Sequence, residues 1–225
     1  MLTPNRRQFL VSGVAAATAA VAGCTSEGSS TAEPADFGTI AAETPSTEDQ
    51  PLSPPVAGSP DADVTVMAFE DYACPHCQTY SLEAFPELAI DYLQDGQIRY
   101  EFRDFPLPVA DPESMQAASA ARAVQASAGP QAYFEFAERL FVNQSELGPS
   151  LYEEAAQAVD VDPTAVTRAV SDQEYQPTTD RDKQFGEDRN VSGTPVVFVD
   201  GSRVEWGDAI AYDPVRAAIE SALDS

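Results

Sequence analysis

Basic residues are scarce in this chain of 225. Twelve lysines and arginines stand against 37 aspartates and glutamates, and Lys183 is the sole lysine. With a formal charge of -25, nothing here could neutralise a run of phosphates, which argues against a nucleic-acid partner. Histidine is represented by His76 alone, and cysteine stops at three residues, Cys24, Cys74 and Cys77. So few sulfurs exclude a four-thiolate iron–sulfur cluster within one chain, and a closed zinc site would need carboxylates or a second molecule. No cofactor motif is visible, no internal repeat, and no low-complexity segment outside a stretch near the N-terminus. Such acidity usually marks disorder, but the aromatic and β-branched content past residue 60 argues for a packed core. At 43% hydrophobic residues, one domain plus a tail is the expected organisation.

What is present centres on Ala73-Cys74-Pro75-His76-Cys77. It follows an apolar, β-branched run at residues 64–69 that reads as a buried strand. It opens a segment, residues 78–93, with helical spacing of Leu82, Phe85 and Leu88. Two thiols three apart in a first helical turn lie on one face, close enough to close a disulfide. Cys74 then sits just outside the helix, where unpaired N–H groups favour thiolate over thiol, so it is the expected nucleophile. Pro86 is expected to break or kink this helix.

The remaining elements follow in order. Residues 97–102 alternate as a second strand through Ile98, Tyr100 and Phe102. Asp111-Pro112, Asp162-Pro163 and Asp213-Pro214 each put an acid before a proline, the pattern of an N-cap followed by a first helical residue. Apolar stripes at 117, 121, 124 and 128, at Tyr133, Phe136, Leu140 and Phe141, and at Tyr152, Ala155 and Val159 read as core faces of a helical subdomain. After a helix over residues 176–189, Gly193-Thr194-Pro195 leads into a buried strand, a tight turn at Asp200-Gly201, and a short strand at residues 203–206. A last helix covers residues 214–223. Trp206, the one tryptophan, reads as packing.

Several stretches resemble known families. Asn5-Arg6-Arg7-Gln8-Phe9-Leu10 looks like a twin-arginine export signal, and the mildly apolar residues 11–22 are short of the roughly 20 that span a bilayer. Val21-Ala22-Gly23-Cys24 resembles a lipobox, with valine where leucine is usual, so Cys24 is the expected site of lipidation; the alternative is an ordinary signal peptide and a free Cys24. A diacyl-type modification is expected, since one acyl chain anchors only marginally. The Ser-, Thr-, Glu- and Pro-rich residues 24–57 read as a flexible acidic linker whose ends lie on the order of 30 Å apart. The acidity resembles that of proteins from salt-loving archaea, where a screening length of roughly 3 Å near 1 M salt relieves self-repulsion.

Glu70-Asp71-Tyr72-Ala73-Cys74-Pro75-His76-Cys77 resembles the active-site segment of DsbA-type thiol-disulfide oxidoreductases, and Gly193-Thr194-Pro195 with its following strand resembles their cis-proline loop. The likeness covers residues 58–225. It implies an α/β, thioredoxin-like fold with a helical insertion, about residues 107–190, between the second strand and the cis-proline strand. It also implies disulfide exchange with reduced or unfolded exported proteins at the cell surface, with re-oxidation by a membrane partner. Cys74 would be attacker and leaving group and Cys77 the resolving thiol. Pro75 and His76 would tune the thiolate, and Thr194 with Pro195 would hold an extended client. The sequence departs from the family at Ala68, six residues before Cys74, where an acid is common. Glu70 and Asp71 could take over proton transfer to Cys77, or could be surface acids.

The rivals are weaker. A structural disulfide across so short a loop removes little unfolded-state entropy. A copper-binding lipoprotein using the two thiols belongs to another class. Within the enzyme class, isomerase and reductase share the motif, but isomerases of this fold generally dimerise and no dimerisation module is visible in residues 25–56. A monomeric oxidase is the expectation.

Overall fold

The computed structural model describes residues 51–225. The twin-arginine stretch, Cys24 and most of the linker lie outside the described residues. Five strands form one sheet in the order β1-β3-β2-β4-β5, with β1 Val56–Gly58, β2 Val64–Glu70, β3 Ile98–Asp104, β4 Val196–Val199 and β5 Ser202–Arg203. Only β2 and β3 run parallel; the other pairs are antiparallel.

Alternation along β2 divides its side chains between two layers. Val64, Val66 and Ala68 enter the main core, while Phe69 joins Phe105, Val191, Val196 and Phe198 in a smaller cluster. The helix α6, Gln176–Glu187, closes over that cluster at Gly186, where an added Cβ would come within 2.9 Å of Phe69 and Phe105. Asp200 and Gly201, at φ 46° and 79°, supply the two left-handed residues that a tight β4–β5 hairpin requires.

The β2–β3 connection is a helical run, α1 Pro75–Thr79 and α2 Phe85–Leu88 with a wider π-type turn after each, at Tyr80–Ala84 and Ala89–Leu93. Pro86 does not break it. The proline falls in the first turn of α2, directly after a π turn, and a wide turn is where a helix absorbs a missing N–H. Between β3 and β4 lie α3 Glu113–Val142, α4 Pro149–Ala158, α5 Pro163–Ser171 and α6, as the expected helical insertion; α7, Tyr212–Leu223, ends the chain. α3 is two helical halves meeting at Gly129, φ 82°, followed by Pro130, which is why Ala128 is exposed rather than part of the core stripe.

Of the three Asp-Pro pairs, only Asp162 caps a helix, accepting from Thr164 N at 2.9 Å. Asp111–Pro112 is cis and α3 begins after it, and Asp213 lies inside the first turn of α7. Residues 51–57, read above as the end of a linker, are part of the fold. Leu52 is buried, Val56–Gly58 pairs with β3, and the Ser53 carbonyl accepts from Arg122 and Gln125. The fully buried Arg122 guanidinium bridges Asp104 at 2.6 Å and Asp182 at 2.5 Å. It ties the entering chain to the end of β3.

Candidate active site

Strand β2 ends at Glu70 and the chain turns through Asp71-Tyr72-Ala73 before α1. Asp71 shapes that turn: its carboxylate accepts from Ala73 N at 2.9 Å, Leu107 N at 2.8 Å and Ser114 Oγ at 2.9 Å. One side chain thereby fixes the turn against the start of the insertion. Tyr72 is held between Phe102 and Phe141 and its hydroxyl meets that of Tyr133 at 2.8 Å. From the other side Gln144 Nε2 donates to the carbonyls of Tyr72 and Cys74, at 2.8 and 2.9 Å, and Gln78 Nε2 to the Phe141 carbonyl at 2.7 Å.

Cys74 is thus the extended residue capping α1, with Pro75 at the first helical position. It is half-buried, whereas Cys77 has no exposed surface. Both thiols are free in this structure. The Cys74 thiol is pushed down to about 5, first by hydrogen bonding from Cys77, then by the Thr194 side chain and by the backbone N–H groups of Cys77 and His76, against the opposing pull of burial. Burial, with the neighbouring Cys74 and Glu70, drives Cys77 well up. The surroundings thus push the two sulfurs apart, favouring the ionised form at Cys74 and the protonated form at Cys77. Pro75 and His76 are exposed, and the support His76 gives the thiolate comes through its backbone N–H.

The loop before β4 meets this pair. The Thr194–Pro195 bond is cis, and Cys74 Sγ lies 3.4 Å from the Thr194 carbonyl oxygen. The Thr194 hydroxyl is buried and has no hydrogen-bond partner at normal distance, yet lies near enough to both sulfurs to favour their ionised forms. Trp206 does more than pack: its Nε1 donates to the Pro195 carbonyl at 3.0 Å and its ring meets Tyr80 edge-on. A groove of about 630 Å³, lined by Ala73, Gln78, Ala110, Glu113, Gln144 and Leu147, opens beside the turn.

Neither Glu70 nor Asp71 is a surface acid. Glu70 is 1% exposed, shares the β2 face of Ala68, and receives hydrogen bonds from Ser81 Oγ at 2.5 Å and Tyr100 OH at 3.1 Å. Burial outweighs those bonds and pushes its carboxyl up to about 8. Asp71 is also raised by burial, against its three donors. Glu70 borders a small cavity of about 30 Å³ shared with Ser81, Tyr100 and Glu138, room for about one water. Among the described residues no group of three or more His, Cys, Asp and Glu is placed to hold a metal.

Sequence reasoning missed Gln144, Trp206 and Arg122 as organisers of the site. Only Arg122 carried a local signal, as a charge within the alanine-rich run 117–123 that forms a core face.

A thioredoxin family model matches residues 52–221. Disulfide bond formation protein D of Bacillus subtilis is 25% identical over 175 residues, covering 75% of this chain and 77% of that protein. The Na(+)/H(+) antiporter NhaA 3 of Salinispora tropica is 32% identical over 170 residues, but the match spans only 25% of its length. Among solved structures, oxidised BdbD from Bacillus subtilis superimposes with a TM-score of 0.70 at 25% identity, over 76% of this chain and 94% of that one. DsbA of Chlamydia trachomatis gives 0.67 at 20% identity, over 80% and 96%, a likeness of fold.

Proposed function

The chain belongs to the thioredoxin family, and on that premise we propose that it is a DsbA-type thiol-disulfide oxidoreductase that introduces disulfides into exported proteins. The observation that carries this reading is the unequal dithiol beside a cis-proline: Cys74 half-buried at the start of α1, where local hydrogen bonds favour its ionised form, and Cys77 fully buried, where burial favours the thiol.

In the oxidising direction a client thiolate attacks Cys74 of the Cys74–Cys77 disulfide. The S–S bond breaks toward Cys77, which leaves as a thiolate and takes a proton. Glu70, whose carboxyl burial pushes up to about 8, is the proposed source of that proton. A second client thiolate then attacks the client sulfur of the mixed disulfide and Cys74 departs as a stable thiolate. The client loses two electrons and Cys74 and Cys77 gain them; a membrane oxidant takes them on. The backbone at Thr194, before Pro195, is the ledge on which an extended client segment pairs.

Stabilising the Cys74 thiolate stabilises the reduced protein and makes the disulfide a strong oxidant, as it does in DsbA, and this favours the oxidase over isomerase or reductase. The leader-like Arg6 and Arg7 and the lipobox-like Cys24 support export and anchoring at the outer face of the membrane. Among the described residues no helix is long and apolar enough to cross a membrane. The acidic surface supports work in concentrated salt, and the stretch at residues 24–50 a tether for a monomer held near the membrane.

The test is Cys77→Ser, which stalls resolution. Non-reducing gels of cell-surface extracts are expected to show mixed disulfides on Cys74 that vanish on reduction. The purified wild type is expected to oxidise a reduced test protein. No adducts and no oxidation would sink the proposal.

A further inference from the structure

The helical insertion holds a further cavity, partly open to solvent, of about 550 Å³ between α3, α4, α5 and the start of α6, with neither cysteine in its lining. That volume lies within the roughly 300–1,000 Å³ typical of small-molecule pockets. Its wall contains two hydroxyls that the protein leaves unanswered. Ser119, 3% exposed, and Tyr152, with no exposed surface, both line the cavity, and neither hydroxyl has a hydrogen-bond partner. Among the described residues the other buried side-chain atoms without partners belong elsewhere, to Tyr80 and Thr194 around the dithiol and to Arg103 and Asp104 in the Arg122 network. A buried hydroxyl with no partner costs stability that alanine or phenylalanine would not. Two of them lining one cavity, from α3 and from α4, mark a place built for a partner from outside.

The chemistry of that partner follows from the lining. Among the described residues no lysine, arginine or histidine borders the cavity, and the one carboxylate in its lining, Asp111, is exposed. Neither an anion nor a cation would find its charge answered at the buried wall. Thr167 and Ser171 spend their hydroxyl protons on helix carbonyls, so recognition falls to Ser119, Tyr152 and the amides of Gln116, Gln173 and Gln176. Burial raises the Tyr152 phenol, which therefore stays protonated and able to donate. Met115 and Val170 supply apolar surface. We propose that this cavity is a small-molecule site for an uncharged ligand whose amide, carbonyl or hydroxyl head binds Ser119 and Tyr152 and whose apolar body lies against Met115 and Val170.

Benzamide is the probe, with benzoate and benzylamine as charged controls of the same shape, added to the full chain while its Tm is followed. Benzamide at millimolar concentration is expected to raise the Tm and the controls are not. Tyr152→Phe and Ser119→Ala are each expected to melt above the wild type without ligand, and each to lose about five- to tenfold in benzamide affinity, the loss of one hydrogen bond. The absence of a benzamide response in the wild type, which is what a cavity holding water alone would give, overturns the proposal. So does a charged control that binds as tightly, or affinity unchanged in the variants. Should Tyr152→Phe fail to fold, Ser119→Ala alone decides. None of these readouts uses the dithiol, so they stand or fall separately from the redox reading.

Discussion

Two residues at the site respond to pH in opposite senses. Cys74 is lowered to about 5 in the fold, so its ionisation stabilises the reduced protein above the ordinary thiol range, and that stabilisation is lost as pH falls toward 5. The disulfide form lacks the titration. The stability of the reduced protein minus that of the oxidised protein is therefore expected to grow between about pH 5 and 9, by up to about 1.4 kcal/mol per pH unit. Denaturant unfolding of both forms across that range measures it; a flat difference would refute the ionised Cys74. Glu70 is raised to about 8, so the fold holds a proton there that the unfolded chain releases, and stability contributed by that proton is lost as pH rises from about 4.5 to 8. Glu70→Gln is expected to remove this loss and to slow oxidation of a test protein. The burial of Glu70 was not legible in the sequence. Acids are so common in this chain that one beside a motif carries no information, and only the pairing of β2 with β3 shows that its side chain faces the core.

At the level of elements, the site is a helix start held between two arms. One arm is the insertion, reaching back through Gln144 to the carbonyls of Tyr72 and Cys74. The other is the cis-proline loop, held by Trp206. Trp206→Phe keeps most of the ring and removes the bond to the Pro195 carbonyl. It is expected to cost about 1 kcal/mol of stability and to raise the KM for a client more than it lowers kcat, because the ledge is loosened while the thiols are untouched. Equal loss in both would place Trp206 in the chemistry instead. Sequence periodicity located β2, β3 and β4, and the Thr194-Pro195 pattern located the loop, since these depend on near neighbours. Contacts such as Trp206 to Pro195, or Arg122 to an acid 60 residues away, have no local signature. Pro86 does not end the helix because breaking strength is a property of a regular α-helix, and the turn before it is wider.

For the whole molecule, charge is the dominant property. Among the described residues five acids are buried, Glu70, Asp71, Glu101, Asp104 and Asp182, with Arg122 the one fully buried base. Most other acids face solvent, and together they oppose a thiolate at Cys74. Short-range hydrogen bonds hold that thiolate and survive salt, whereas the repulsion from distant surface acids is screened. Added KCl is expected to increase the thiolate fraction of Cys74, read as alkylation rate against pH at two concentrations. A Cys74 pKa that climbs with salt would show that local contacts do not dominate.

The anchoring of residues 51–57 has a consequence for reach. The Pro55 carbonyl accepts from Phe102 N and Ser53 meets Arg122 beside Asp104, and Asp104 lies opposite Glu70, the last residue before the catalytic turn. The chain therefore enters the body at the same end of the sheet from which the dithiol emerges. On the anchoring at Cys24 proposed above, the point of attachment lies at the active-site end of the sheet, so the length of the tether rather than the size of the domain sets how far Cys74 ranges.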